Sequence, residues 1–202
     1  SGETRVFTAD NGEVTIPVAP QRIVATGYAV PALVESDAPL VGISTWERGV
    51  AMMTPEDKAE YDELGKVAGE AATETNYEAI ANAKPDLIII GVPKPVLPQL
   101  DLDRLSSIAP VVALGPQHPS GWKDLTKRQL DAAGQSEFYE KAKKAYDEKA
   151  GALKEKYAGV LGDLTFGHLG AYGEVSSGEF LREFKESWGT NIAQDIGANY
   201  TG

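Results

Sequence analysis

The sequence holds no cysteine, and only two histidines occur among its 202 residues. Without cysteine there are no disulfides, no thiolate metal sites and no Cys nucleophile. His118, in a loop, and His168, at a strand end, leave too few nitrogen ligands for a transition-metal centre. Basic charge is also scarce, with 19 Lys and Arg against 30 Asp and Glu, a net charge of −11 and a pI near 4.7. Such a surface repels phosphate backbones, and no basic patch with interleaved aromatics offsets it, so no nucleic acid partner is expected. No apolar run approaches the ~20 residues of a membrane span. The phosphate loop GxxxxGK[ST] is absent, Gly27 lacks the further glycines of a dinucleotide fingerprint, and no GxSxG elbow occurs. Paired acids such as Glu56-Asp57 and Asp101/Asp103 fall at helix starts, where the helix dipole accounts for them without catalysis.

What is present is a globular composition, 42% hydrophobic and 24% charged, on a chain long enough for one generous domain or one and a fraction. One stretch organises it. From Ser136 to Tyr157 the residues Phe138, Ala142, Tyr146, Ala150, Leu153 and Tyr157 recur every three or four positions, which predicts a helix with one narrow apolar stripe. Gly134 closes the preceding helix and Ser136 caps this one. At 1.5 Å per residue it reaches roughly 33 Å, with mixed Lys and Glu on its other faces. It reads either as a solvated strut holding two α/β lobes apart or as an ordinary surface helix.

Before it, Thr4–Ala9 and Glu13–Val18 alternate around Asp10-Asn11-Gly12, a hairpin signal. Arg22–Thr26, Pro39–Ile43, Leu87–Ile90 and Pro110–Leu114 read as strands. Helices are expected over Ala29–Ser36, from Thr54-Pro55, from Thr75 with Glu78 as capping-box partner, over Leu100–Ile108 and over Trp122–Ala133. Leu64–Gly69 reads as a connector. Alternating strands and helices imply a parallel sheet with helices on both faces. After the long helix, Asp163–Leu169 and Glu179–Lys185 look like strands and Thr190–Ile196 like a helix, too little to cover a sheet. The fold class is therefore α/β: a parallel-sheet amino-terminal lobe (1–120), a long interlobe helix region (121–158) and an incomplete second α/β lobe (159–202).

Ligands of parallel sheets sit beyond the carboxyl ends of the strands. The loops there carry Tyr28, Trp46, Arg48 and Lys94. Trp offers contact area and Arg a forked donor for an oxygen-rich ligand. The plainer alternative has Trp46 packed into its own lobe and Arg48 paired with Glu47 or a neighbour. Tyr172 and Trp188, beyond the long helix, are candidates to face the same ligand or to be core.

The run PQRIVATGYAVPALVESDAPLVGIS, then ETNYEAIANAKPDLIIIG and SIAPVVAL, resembles the amino-terminal lobe of the helical-backbone substrate-binding proteins of iron-siderophore and vitamin B12 ABC importers. Asn76 to Ile88 is its most specific part, and the long helix is similar to the interlobe helix of that family. The resemblance implies a non-enzymatic protein whose two lobes hold a ferric siderophore and deliver it to a membrane permease. It also implies an extracytoplasmic location and a lipid anchor on a residue preceding Ser1. No cofactor is implied beyond the iron inside the ligand. Strand-end loops supply the ligand contacts in similar proteins, which extends to Tyr28, Trp46 and Arg48, and Glu78 resembles an acid that meets basic residues of the permease. Members of that family continue through further strands and helices after the point where this sequence stops. With only Arg48 and Lys94 as nearby cations, a hydroxamate complex fits better than a trianionic catecholate. Vitamin B12 or haem is the alternative ligand, a nucleotide-binding α/β enzyme the alternative class, and an interaction module without ligand a third reading.

Overall fold

The computed structural model describes residues 2–170 and 175–200. It forms two compact units, Ser1–Gln117 with Lys123–Tyr139, and His118–Trp122 with Glu140–Gly202.

The first unit opens with the hairpin β1 (Thr4–Ala9) and β2 (Gly12–Pro17), antiparallel with Ala9 opposite Gly12. The chain then alternates strand and helix: β3 (Ile23–Gly27), α1 (Val30–Glu35), β4 (Leu40–Ser44), α2 (Glu47–Val50), α3 (Pro55–Glu63), β5 (Lys66–Ala68), α4 (Tyr77–Ala83), β6 (Leu87–Gly91), α5 (Leu102–Ser106), β7 (Val111–Ala113) and α6 (Trp122–Ala132). The five strands β3 to β7 form one parallel sheet in the order β5-β4-β3-β6-β7. Every residue of the central strands β3 and β6 is buried. Alternate residues feed opposite faces. Ile23, Ala25, Leu87 and Ile89 join a core with Leu33, Ile43 and Leu130, while Val24, Ile88 and Ile90 join a second core with Ile80 and Leu105. Period-two alternation in strands covered on both sides produces this split.

The hairpin tip finishes the exposed edge of the sheet. Asn11 donates through Nδ2 to the Val111 carbonyl (3.0 Å) and accepts at Oδ1 from the Ala113 N–H (2.8 Å), and the Asp10 N–H donates to the Ala113 carbonyl (2.8 Å). A side-chain amide carries a donor and an acceptor, so it continues the ladder where β7 has no neighbouring strand. Asp10 adds a bond from the Gly115 N–H (3.1 Å) and an ion pair with Arg128 (3.4 Å).

Two sequence expectations change here. Lys66–Ala68, read as connector, is the edge strand β5, because three residues are too few to show alternation although Val67 and Ala68 are buried. Thr75 does not cap α4. Asn76 does, its Oδ1 accepting from the Ala79 N–H (3.0 Å), while the Thr75 hydroxyl donates back to the Ala72 carbonyl (2.7 Å). Asn is at least as good a cap as Thr, so α4 starts one residue later and Glu78 lies exposed in its first turn without the capping-box role.

The long helix, α7, spans Ser136–Leu161, four residues beyond the expected end, and none of its residues is fully buried. The apolar stripe is half-buried at Phe138, Tyr146, Ala150 and Leu153, while Ala142 and Tyr157 are exposed. In the second unit β8 (His168–Gly170) pairs antiparallel with β9 (Leu181–Glu183), both shorter than expected, and α8 (Thr190–Asp195) follows. Trp122 donates from Nε1 to Asn191 (2.8 Å) and meets the Tyr146 ring edge-on at 5.7 Å. The Tyr146 hydroxyl donates to Asp195 at 2.5 Å. Burial and the Asp195 carboxylate push the Tyr146 phenol up to about 12. Together these contacts fasten α8 to α7. No described helix is long and apolar enough to cross a membrane.

Replacing Asn11 by Ala removes two hydrogen bonds to the β7 edge, worth about 1–2 kcal/mol together. The urea midpoint should fall with the slope of the transition unchanged; an unaltered midpoint would mean that water replaces the amide at no cost.

Candidate functional site

β3 and β6 run in register to their last residues, Gly27 opposite Gly91. Both positions need glycine. Gly27 has φ +60°, and a Cβ there would lie 2.5 Å from the Gly91 carbonyl oxygen, while a Cβ on Gly91 would lie 2.3 Å from the Ala29 nitrogen. Two bonds hold the turn, from the Gly27 N–H to the Ser44 hydroxyl and from the Tyr28 N–H to the Gly91 carbonyl, each 2.8 Å. Tyr28 therefore emerges at the carboxyl edge of the sheet, beside the loop that follows β4.

That loop brings in Trp46, whose ring meets Tyr28 edge-on at 4.8 Å and 64°. Trp46 is only 6% exposed, and its buried backbone N–H donates to the Tyr61 hydroxyl of α3 (2.8 Å). Burial, with the Glu47 carboxylate alongside, raises the Tyr61 phenol above its ordinary value even though the Trp46 N–H acts in the other direction. Arg48, in α2, lies with its guanidinium 4.4 Å over the Trp46 ring and 5.6 Å from Tyr28.

A residue outside the sequence candidates fixes that guanidinium. Glu70 accepts from Arg48 Nε (3.2 Å) and Nη2 (3.0 Å), and its other oxygen accepts from the Arg48 backbone N–H (3.3 Å). Burial works against the Glu70 carboxylate, but the hydrogen bonds from the Arg48 side chain and backbone outweigh it and hold the group below the usual range. Arg48 Nη1 donates to the Tyr28 hydroxyl at 3.3 Å. A guanidinium has five N–H groups, so these bonds leave two without an acceptor among the described residues, on a side chain that is 55% exposed. The arrangement is a cation backed by two aromatic rings, with donors turned over to whatever approaches from solvent.

Tyr28, Trp46 and Arg48 are thus brought together, while Glu70 and Tyr61 lie outside what the sequence pointed to. Glu70 follows closely on β5. Reading 66–68 as a strand would have placed Glu70 on a strand-end loop. Trp46 is a buried platform under Arg48, and the guanidinium pairs with Glu70 in place of Glu47. Lys94 is exposed at the start of a 3₁₀ turn, Lys94–Gln99, and no hydrogen bond or ion pair joins it to the cluster. Trp188, in the second unit, is 52% exposed; Tyr172 lies outside the described residues. A hollow of about 400 Å³ in the second unit is lined by Gly178, Glu179, Phe180 and Leu181 and contains none of the candidates. His118 faces Ser120 at 3.0 Å, and no group of three His, Cys, Asp or Glu suited to a metal ion occurs among the described residues.

The family model described as periplasmic binding protein matches residues 25–164. The iron(3+)-hydroxamate-binding protein YxeB of Bacillus subtilis is 29% identical over 179 residues, covering 88% of this chain and 50% of that protein. The chain thus spans about half the length of that relative. Among solved structures, the siderophore periplasmic binding protein from the fuscachelin gene cluster of Thermobifida fusca is 28% identical with a TM-score of 0.72, over 91% of this chain and 65% of its own. The periplasmic catecholate-siderophore binding protein VctP of Vibrio cholerae, 21% identical with a TM-score of 0.69 over 98% of this chain and 67% of its own, shares the fold.

Tyr61→Phe should leave the buried Trp46 N–H without an acceptor, at a cost of about 1–3 kcal/mol. Chemical denaturation followed by circular dichroism measures it, and an unchanged stability would show that the Tyr61 hydroxyl does not hold the loop.

Proposed function

Because this chain belongs to the periplasmic binding protein family, we propose that it is the ligand-capturing component of an ABC importer and that its ligand is a ferric siderophore of the hydroxamate type. The observation that carries this reading is the aromatic-backed Arg48, with two N–H groups available at the carboxyl edge of a parallel sheet, where ligands of such sheets gather. A ferric hydroxamate presents metal-bound oxygens with partial negative charge, and a guanidinium offers them charge-assisted donors. Tyr28 supplies apolar contact for the chelator's methylene arms, Trp46 is the platform that holds Arg48 from below, and Lys94 is a further contact in this proposal. Iron enters only inside its chelator, as cargo, and the chain contributes no ligand to it.

The likeness to a hydroxamate-binding protein supports the ligand class, and so does charge. The Arg48–Glu70 pair is neutral overall and the chain carries −11, which opposes a trianionic catecholate complex. Corrinoid or haem is less well served, since Trp46 at 6% exposure offers little open ring face. Delivery to a membrane permease, with the exposed Glu78 as a docking acid, an extracytoplasmic location and a lipid anchor upstream of Ser1 complete the proposal.

Titration with a ferric hydroxamate, read by quenching of tryptophan fluorescence, is the test, with NAD and ATP as controls that should leave the signal unchanged. Arg48→Ala should weaken binding by about 1.5–3 kcal/mol, roughly ten- to a hundredfold in Kd. Equal affinity for the variant would remove Arg48 from the site, and quenching by NAD in place of the ferric complex would point to a nucleotide enzyme.

A further inference from the structure

Resting on that reading, we infer that Glu70 is a specificity-determining residue: its carboxylate sets the charge of the Arg48 site so that neutral ferric complexes enter and highly anionic ones are rejected. The geometry separates two jobs for one guanidinium. One edge of Arg48, Nε and Nη2, is taken by Glu70 at 3.2 and 3.0 Å, and its face lies 4.4 Å over Trp46. Donors remain, but the net positive charge is cancelled. A neutral complex needs only donors, since its metal-bound oxygens are local dipoles. A trianion needs net positive charge to offset the loss of its own hydration.

The surroundings deepen the effect. Glu47, at the start of α2, accepts from the Tyr61 hydroxyl at 3.4 Å, and Glu74 accepts from the Ala71 N–H at 2.9 Å, next to Glu70 in the chain. Three carboxylates thus accompany one guanidinium in the loops after β4 and β5. Of the three, Glu70 is the one hydrogen-bonded to Arg48, and its side chain is 28% exposed, so its charge is felt by a ligand at the Arg48 donors. Two of its three bonds are to the side chain of Arg48 and one is to the backbone of α2. An amide at position 70 keeps the shape and one acceptor oxygen, enough for Nε and Nη2 of Arg48, while the bond from the Arg48 backbone N–H is lost together with the charge.

The test is the affinity of wild type and Glu70→Gln for two probes, neutral ferrioxamine E and the trianionic iron(III) tris-catecholate complex. Removing one negative charge about 10 Å from a trianion should tighten catecholate binding about tenfold, whereas ferrioxamine E should weaken about threefold as Arg48 loses one of its anchoring bonds. Higher salt should strengthen catecholate binding to the wild type, and this dependence should shrink in the variant. If both complexes weaken by the same factor, Glu70 only positions Arg48 and the specificity role is overturned. The wild-type salt series decides the same question should the variant not fold, since flat catecholate affinity overturns the inference without any substitution. Binding of neither probe by the wild type overturns the proposed function along with it, whereas binding of ferrioxamine E with parallel responses overturns the role of Glu70 alone.

Discussion

The pairing of β3 with β6 is the constraint on which the remainder of the first unit depends. These strands are buried on both faces and run parallel in unbroken register from Ile23 opposite Leu87 to Gly27 opposite Gly91. Parallel strands cannot be joined by a tight turn, so each connection becomes a helix crossing one face. Both strands end at the same level, on glycines whose backbones approach too closely for any Cβ. The chain has to leave the sheet there, and Tyr28 is the first side chain past that exit. Ser44, ending β4, binds the Gly27 N–H, which ties the neighbouring loop and its Trp46 to the same point. A binding surface assembled this way takes its rigidity from the sheet.

Arg48 is held differently. An exposed ion pair contributes roughly 0–1 kcal/mol, and a solvent-exposed guanidinium over an aromatic ring about 0.5–1 kcal/mol. Several such contacts orient the side chain without committing it, and the rings of the buried Trp46 and the half-buried Tyr28 do not move with it. A ligand oxygen therefore meets a donor that is already aimed and can still adjust. Rigid platform below and adjustable cation above is a division that suits a protein required to bind and also to release.

Much of this was legible in the sequence. LIII at 87–90 announces a strand buried on both faces, Thr54-Pro55 announces a helix start that the structure keeps, with Thr54 accepting from the Asp57 N–H (3.1 Å), and the 3.6 periodicity after Ser136 announces α7. The same logic located Tyr28, Trp46 and Arg48 on strand-end loops. What escaped it is non-local. Glu70 lies 22 residues from Arg48 and is joined to it only because β5 pairs with β4, and β5 is too short to announce itself. Asn11 reads as a turn residue, yet its amide completes an edge a hundred residues away. Local propensity is silent about both, since neither a three-residue strand nor a side chain standing in for a strand leaves a periodic trace.

The protonation chemistry of the cluster fits holding a ligand better than transforming one. General acid–base catalysis needs a group that gains and loses a proton near the working pH. Here the two perturbed groups move away from it. Burial takes the Tyr61 phenol upward, so it stays neutral, and the bonds from Arg48 take the Glu70 carboxyl downward against burial, so it stays charged. Because the folded-state value of Glu70 lies below its unfolded one, its contribution to the loop is present above the ordinary carboxylate range and is lost only as pH falls through the depressed value. Across the neutral range the cluster therefore offers a fixed set of donors and charges. A surface whose charges do not change with small shifts in pH can discriminate among ligands by their charge alone.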